Sequence, residues 1–178
     1  MKKYIILLTL FVTCSATCYA DQPTTSYDGT FFQLVYPAQW HQTDYPLDKS
    51  TVLFLERKYS EKDIGTLAFR VAPTLTDSGY LKYLRTEVDQ FTTRLKSRFP
   101  DAMLLSSVQT SLGGYDAQAI FHSYSVKNPG TNYEIINLQI HCVKNKKLFM
   151  IVYETVETED YEGKMDEVVL LLSSFMFK

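Results

Sequence analysis

At 178 residues, with 46% hydrophobic and 21% charged side chains, the chain is long enough to bury one core without disulfide support. A formal net charge of −2 lacks the strongly basic footprint of a nucleic-acid binder. Seven glycines leave little scope for glycine-rich phosphate loops, and neither the nucleophile-elbow pattern nor the dinucleotide fingerprint is present.

The chain opens with Lys2 and Lys3, an apolar run from Tyr4 to Val12, and small residues leading to Ala20. That is the three-part layout of a secretory signal peptide. As a helix the run spans only ~14 Å, at about 1.5 Å per residue, against a hydrocarbon core of roughly 30 Å, too little for a permanent anchor. Cleavage is expected after Ala20, which implies a periplasmic or secreted protein with no transmembrane segment after cleavage. Lipoprotein anchoring is disfavoured: Cys14 follows Phe11-Val12-Thr13 and Cys18 follows Ser15-Ala16-Thr17, poor contexts for a lipid acceptor. Removing the leader takes 20 of the 178 residues and lowers the basic count from 18 to 16 against 20 acidic, a net charge of −4. Cys142 is then the remaining cysteine, so the exported body has no internal bridge.

Residues 21–29 are polar and read as a flexible leader. Thr30 to Tyr36 predicts a first strand, stopped at Pro37, and Ala38 to Ser50 a loop. Val52–Arg57 and Gly65–Ala72 predict a hairpin, the second strand alternating Leu67, Phe69 and Val71 with Thr66, Ala68 and Arg70. Asp77 is placed to cap a helix running to Phe99, with Pro100 just past its end. Leu81, Leu84, Val88, Phe91 and Leu95 make its apolar stripe. Four strands follow: Met103–Thr110, Asp116–Val126, Thr131–Val143 and Leu148–Glu154, separated by Gly113-Gly114, Asn128-Pro129-Gly130 and Asn145–Lys147. Such short connections predict an antiparallel meander. A second helix is expected from Thr158 to about Ser173, striped by Tyr161, Met165, Val168 or Val169, and Leu172. The fold class is therefore α+β, an antiparallel sheet of about six to seven strands packed with helices.

The segment Phe32-Gln33-Leu34-Val35-Tyr36-Pro37-Ala38-Gln39-Trp40 resembles the opening of PsbP-like and DcrB-like proteins, and the close at Ser173-Ser174-Phe175 is similar to their last segment. The resemblance covers roughly residues 30–177. It implies an α/β/α sandwich and a non-enzymatic accessory or binding role, commonly in the bacterial envelope. No functional residue of that group matches a position here. The domain reading is a signal peptide over 1–20, the leader over 21–29, and a single PsbP-like α+β domain over 30–178.

The remaining candidates for chemistry are few. His141 and Cys142 are adjacent in a predicted strand, so they face opposite sides and cannot form a nucleophile pair; Cys142 continues the apolar side of Ile136, Leu138 and Ile140. His41, His122 and His141 match no zinc spacing, and His122, expected opposite Ile135, lies too far from His141 to share a metal. Glu154, Glu157, Glu159, Asp160, Glu162, Asp166 and Glu167 read as a solvated acidic face at a helix N-terminus. Lys82, Arg85, Arg94, Lys96 and Arg98, with Lys144, Lys146 and Lys147, are diluted by Glu87 and Asp89. Tyr27, Tyr45, Tyr59 and Tyr115 fall in or beside loops as possible contact residues, whereas Tyr36 and Trp40 are expected in the core. The expectation is an exported, non-enzymatic accessory or binding module of the cell envelope, with no cofactor or metal, acting on a protein partner or small ligand. The alternatives are a small enzyme with a loop-built site such as His41, Asp44 and Tyr45, or a secreted interaction factor.

Overall fold

The computed structural model describes residues 23–44, 49–61, 63–74, 79–128, 131–156 and 161–178. The signal-peptide stretch over 1–20, Asp77 and Tyr45 lie outside the described residues. Among the described residues, ten strands form two antiparallel sheets. The larger runs in the order β3-β4-β5-β9-β8-β7-β6: β3 (His41–Gln42), β4 (Thr51–Ser60), β5 (Asp63–Pro73), β6 (Met103–Leu112), β7 (Tyr115–Asn128), β8 (Thr131–Lys144) and β9 (Lys147–Val156). The smaller has the order β1-β2-β10, built from β1 (Thr24–Asp28), β2 (Phe32–Pro37) and β10 (Met176–Phe177). Helices α1 (Gly79–Thr86) and α2 (Val88–Arg98) cover one face of the large sheet, and α3 (Tyr161–Ser173) with the small sheet covers the other. The result is the expected α+β sandwich, with strands sharing one outer layer.

The main core follows from period-two alternation. Leu67 and Phe69 of β5, Ile136, Leu138, Ile140 and Cys142 of β8, and Phe149, Ile151 and Tyr153 of β9 all point to the α3 side and are buried. Phe32 and Phe175 stack at 4.8 Å, and Phe32 and Phe69 at 5.2 Å, fastening β2 and the segment after α3 to the large sheet. Tyr36 and Trp40 are buried, as expected.

The short strand β3 falls inside the segment expected as a loop, and β10 follows the second helix where no strand was expected; two longer segments also differ from expectation. The stretch read as a flexible leader carries β1, paired with β2 from Thr24↔Pro37 to Asp28↔Gln33. Its side chains are mostly exposed, so backbone pairing rather than apolar patterning makes it a strand. The single helix expected to end at Phe99 is two. At Glu87 the backbone turns to φ −121°, ψ 27°, and the Thr86 hydroxyl donates back to the carbonyls of Lys82 and Tyr83 at 3.1 and 3.3 Å. Thr86 and Val88 flank the break, and β-branched residues support a helix weakly. Leu81 and Leu84 are buried in a small second core against Ile120, Val143 and Leu148, while Val88 and Phe91 are only partly buried there.

Two tight turns join the meander. Gly113 and Gly114 hold φ of 53° and 83°, and Asn145 and Lys146 hold 51° and 58°, the paired left-handed conformations of a two-residue hairpin turn. A methyl on Gly114 would meet nothing within 4 Å, so any cost there is one of backbone conformation. Gly114→Ala is expected to lower stability by roughly 1–2 kcal/mol in a urea titration. A neutral result would show that the turn relaxes to another type.

Candidate functional site

On the face under α1 and α2, the strands present polar residues where the opposite face presents core. Gln118, His122 and Tyr124 of β7, Asn137, Gln139 and His141 of β8, and Glu154 of β9 share this side, set by the registers Gln118↔His141, His122↔Asn137 and Asn137↔Glu154. Hydrogen bonds link most of them into one line. Gln139 Nε2 donates to Asn137 Oδ1 at 2.9 Å, and Asn137 Nδ2 donates to Glu154 Oε1 at 2.8 Å. The Tyr124 hydroxyl donates to the same carboxylate oxygen at 2.6 Å. His141 Nε2 meets the carbonyl oxygen Gln139 Oε1 at 3.3 Å, so this nitrogen carries the proton and Nδ1 accepts from the Tyr80 hydroxyl at 3.4 Å. Every donor from Tyr80 onward points toward Glu154, the one carboxylate of the line.

His122 is fixed by the helix above it. The Thr92 hydroxyl donates to the Val88 carbonyl at 3.1 Å, leaving its oxygen to accept from His122 Nε2 at 3.0 Å. Nδ1 is then a bare lone pair, buried and without a hydrogen-bond partner among the described residues. Burial pulls the pKa of both His122 and His141 down to about 4, so both rings are neutral at neutral pH. Burial, and secondarily the Glu154 charge, pushes the Tyr124 phenol above its ordinary range. These groups hold protons firmly in one arrangement, and none of the three is poised to exchange one near pH 7.

A second constellation lies on the other side of the sheet, where α3 meets the β4–β5 hairpin. Lys164, 2% exposed, pairs with Asp63 and donates to the Val156 carbonyl at 3.3 Å; Thr155 donates to Asp63 at 3.5 Å. One helical turn on, Glu167 pairs with Arg57 and accepts from Trp40 Nε1 at 3.2 Å and from the Tyr59 hydroxyl at 3.1 Å. The Tyr59 ring lies 4.7 Å from the Arg57 guanidinium and 5.0 Å from Lys164 Nζ.

Other residues singled out from the sequence are placed as follows. His41 is exposed on β3 opposite Glu56. A groove of about 280 Å³ nearby is lined by Gln42, Thr43, Asp44, Thr51, Val52, Leu53 and Phe54, taking in Asp44 but not His41. His122 faces Asn137 rather than Ile135, because the β7–β8 ladder runs to Asn128↔Thr131 and closes tightly. The two histidines are thus four residues apart along β8, ~13 Å at about 3.3 Å per residue. The Phe91 ring lies between them, 5.7 Å from one and 5.9 Å from the other. Among the described residues no three of His, Cys, Asp and Glu converge as metal ligands. Cys142 is buried on the core side, where burial raises its thiol to about 12.

Glu154 and Glu167 are not part of a solvated acidic face: both are part-buried carboxylates, each receiving several donors. Glu157, Glu159 and Asp160 lie outside the described residues, as does the Glu162 side chain. Tyr27 donates to the Val52 carbonyl at 3.2 Å, whereas Tyr115 stays 42% exposed. Arg85 donates to Gln118 at 3.2 Å, and Arg94 to the Tyr83 hydroxyl at 3.3 Å. Lys144 lies 4.7 Å over the Tyr115 ring and Lys147 4.8 Å over Phe31. Lys144 and Lys147 are cross-strand partners at the β8–β9 turn, apart from Arg85 and Arg94 on the helices. No helix among the described residues is long and apolar enough to cross a membrane.

No family's sequence model matches the chain, and no curated protein matches it in sequence. Its fold does match solved structures. The solution structure of CyanoP, the cyanobacterial PsbP of Synechocystis sp. PCC 6803, superposes with a TM-score of 0.63 at 17% identity, over 93% of this chain and 98% of that one. LpqN, involved in cell envelope biogenesis of Mycobacterium tuberculosis, gives 0.54 at 15% identity, over 89% and 87%. The Saccharomyces cerevisiae Ran-binding protein Mog1p gives 0.56 at 8% identity, over 86% and 95%. The fold is PsbP-like.

Proposed function

We propose that this chain is an exported, non-enzymatic accessory or binding module of the bacterial cell envelope that acts through a protein partner or small ligand. The observation that carries the reading is the state of its reactive side chains. His122, His141 and Cys142 are buried with pKa values displaced from neutrality, and the first two are tied into the helix-covered face. A binding module needs a rigid scaffold more than a proton-transfer group, and two hydrogen-bonded polar layers supply rigidity here. Likeness of fold to an envelope-biogenesis protein, to CyanoP and to a Ran-binding protein supports the same reading.

A second reading rests on the groove beside Asp44, where the Thr43 hydroxyl is buried without a hydrogen-bond partner among the described residues. A small polar ligand there would suit a loop-built enzyme. Crosslinking in intact cells, fractionation, and affinity capture from the envelope separate the two. The module reading expects a processed chain in the envelope or medium and a reproducible partner or ligand. Unprocessed protein in the cytoplasm, or turnover abolished by Asp44→Asn, would overturn it.

A further inference from the structure

Strand β6 closes one end of the seven-stranded sheet and, among the described residues, pairs with β7 alone. It is ten residues long, whereas the opposite edge strand β3 has two, and β1 and β10 at the edges of the small sheet have five and two. Its sequence, Met-Leu-Leu-Ser-Ser-Val-Gln-Thr-Ser-Leu, holds no charge, proline or glycine. Edge strands are ordinarily blunted by lysine, proline, bulges or shortness, because an open ladder invites another strand. The one such device here is a register shift between Leu104 and Ser106, after which pairing runs unbroken to Leu112↔Tyr115.

The turn identifies which backbone groups are open. In a two-residue hairpin the residues flanking the turn, Leu112 and Tyr115, form a hydrogen-bonded pair, and such pairs then alternate. Leu112, Thr110 and Val108 therefore bond inward to β7. Ser111, Gln109 and Ser107 turn their N–H and C=O groups to the free edge.

We propose that this edge joins two copies of the chain, β6 pairing antiparallel with β6 across a two-fold axis near Val108 and Gln109. Self-pairing fits for three reasons. The outward groups alternate regularly, so a two-fold sets the same N–H and C=O groups of each copy against the other's. The outward residues are all odd-numbered, so a register that bonds them also keeps both helix-covered faces on one side. The strand is uncharged, so no like charges oppose one another, and it offers a charged peptide no counter-charge to recognise. A single strand pair falls short of the roughly 1,200 Å² typical of a stable interface, so the association is weak and concentration-dependent.

The test is sedimentation velocity on the purified protein over a concentration series, with amide exchange read at Ser107, Gln109 and Ser111. The mass is expected to double with concentration while these three amides become protected. Gln109→Pro removes an outward N–H and leaves the β6–β7 ladder whole, a position where edge strands accept proline. It should hold the protein monomeric with its dilute-solution melting temperature unchanged; if it does not fold, Gln109→Lys is measured instead and should act likewise. A wild-type protein monomeric at its highest soluble concentration overturns the proposal, even if the edge captures some other extended peptide. So does a dimer that survives the substitution.

Discussion

Asp63→Asn is expected to destabilise the protein by about 3–5 kcal/mol, because it leaves Lys164 charged and buried with its counter-charge gone. Lys164 is 2% exposed, and the Val156 carbonyl at 3.3 Å and the face of the Tyr59 ring at 5.0 Å would be left to it, neither carrying a full negative charge. The double variant Asp63→Asn/Lys164→Met should recover most of the loss, since replacing both ions by neutral groups removes the desolvation penalty on each side. Urea titrations of wild type, both single variants and the double form a cycle that isolates the pair. Equal stability of Asp63→Asn and wild type would show that solvent reaches the ammonium. A double variant no better than the worse single one would show that α3 depends on the salt link itself.

Acid should weaken the fold through the helix-covered face. The ordinary histidine value is 6.5, and burial sets both His122 and His141 at about 4 in the folded chain. A depressed histidine favours the folded state while neutral. Its contribution is complete above pH 6.5, declines as pH falls, and is gone below about 4. Each ring forfeits roughly 1.4 kcal/mol per pH unit across that window, on the order of 3 kcal/mol in all. Among the described residues no carboxylate touches either ring: His122 meets Thr92 and Phe91, and His141 meets Tyr80, Gln139 and Phe91. Arg85, bonded to Gln118 opposite His141, adds a cation. The variant His122→Gln/His141→Gln, less stable at pH 7, should lose far less between pH 6.5 and 4. Parallel curves for the two proteins would rule this account out.

Much of the scaffold was legible because it rests on period two. Alternation along Ile136–Cys142 separates the core side from the side of Asn137, Gln139 and His141, and it alone places His141 and Cys142 on opposite faces. The same alternation could have exposed the polar line, since three polar residues at every second position are as regular as the apolar ones beside them. Other features have no local signature. The stripe Leu81, Leu84, Val88, Phe91, Leu95 continues unbroken through Glu87, so periodicity cannot reveal that the backbone turns there. β1 is a strand by virtue of its neighbour, and its exposed side chains look like any polar linker. Asp63 and Lys164 stand 101 residues apart, and only the folded chain brings them together. Glu154 and Glu167 are near other acids in sequence, whereas their donors come from Trp40 between β2 and β3 and from β4, β7 and β8.

The small sheet has a consequence for how the molecule is made. The Ser174 hydroxyl donates to the Val35 carbonyl and accepts from the Val35 amide, a closure between positions 139 apart in the chain. Phe177 sits opposite Phe32, and Phe175 fills the stack beneath it. Until the ribosome has delivered residues 174–177, β2 lacks its second neighbour and Phe32 has only Phe69 of its two stacking partners. Such late, long-range closure is slow. The small sheet is therefore assembled from strands at opposite ends of the fold, and it stays incomplete until β10 is made.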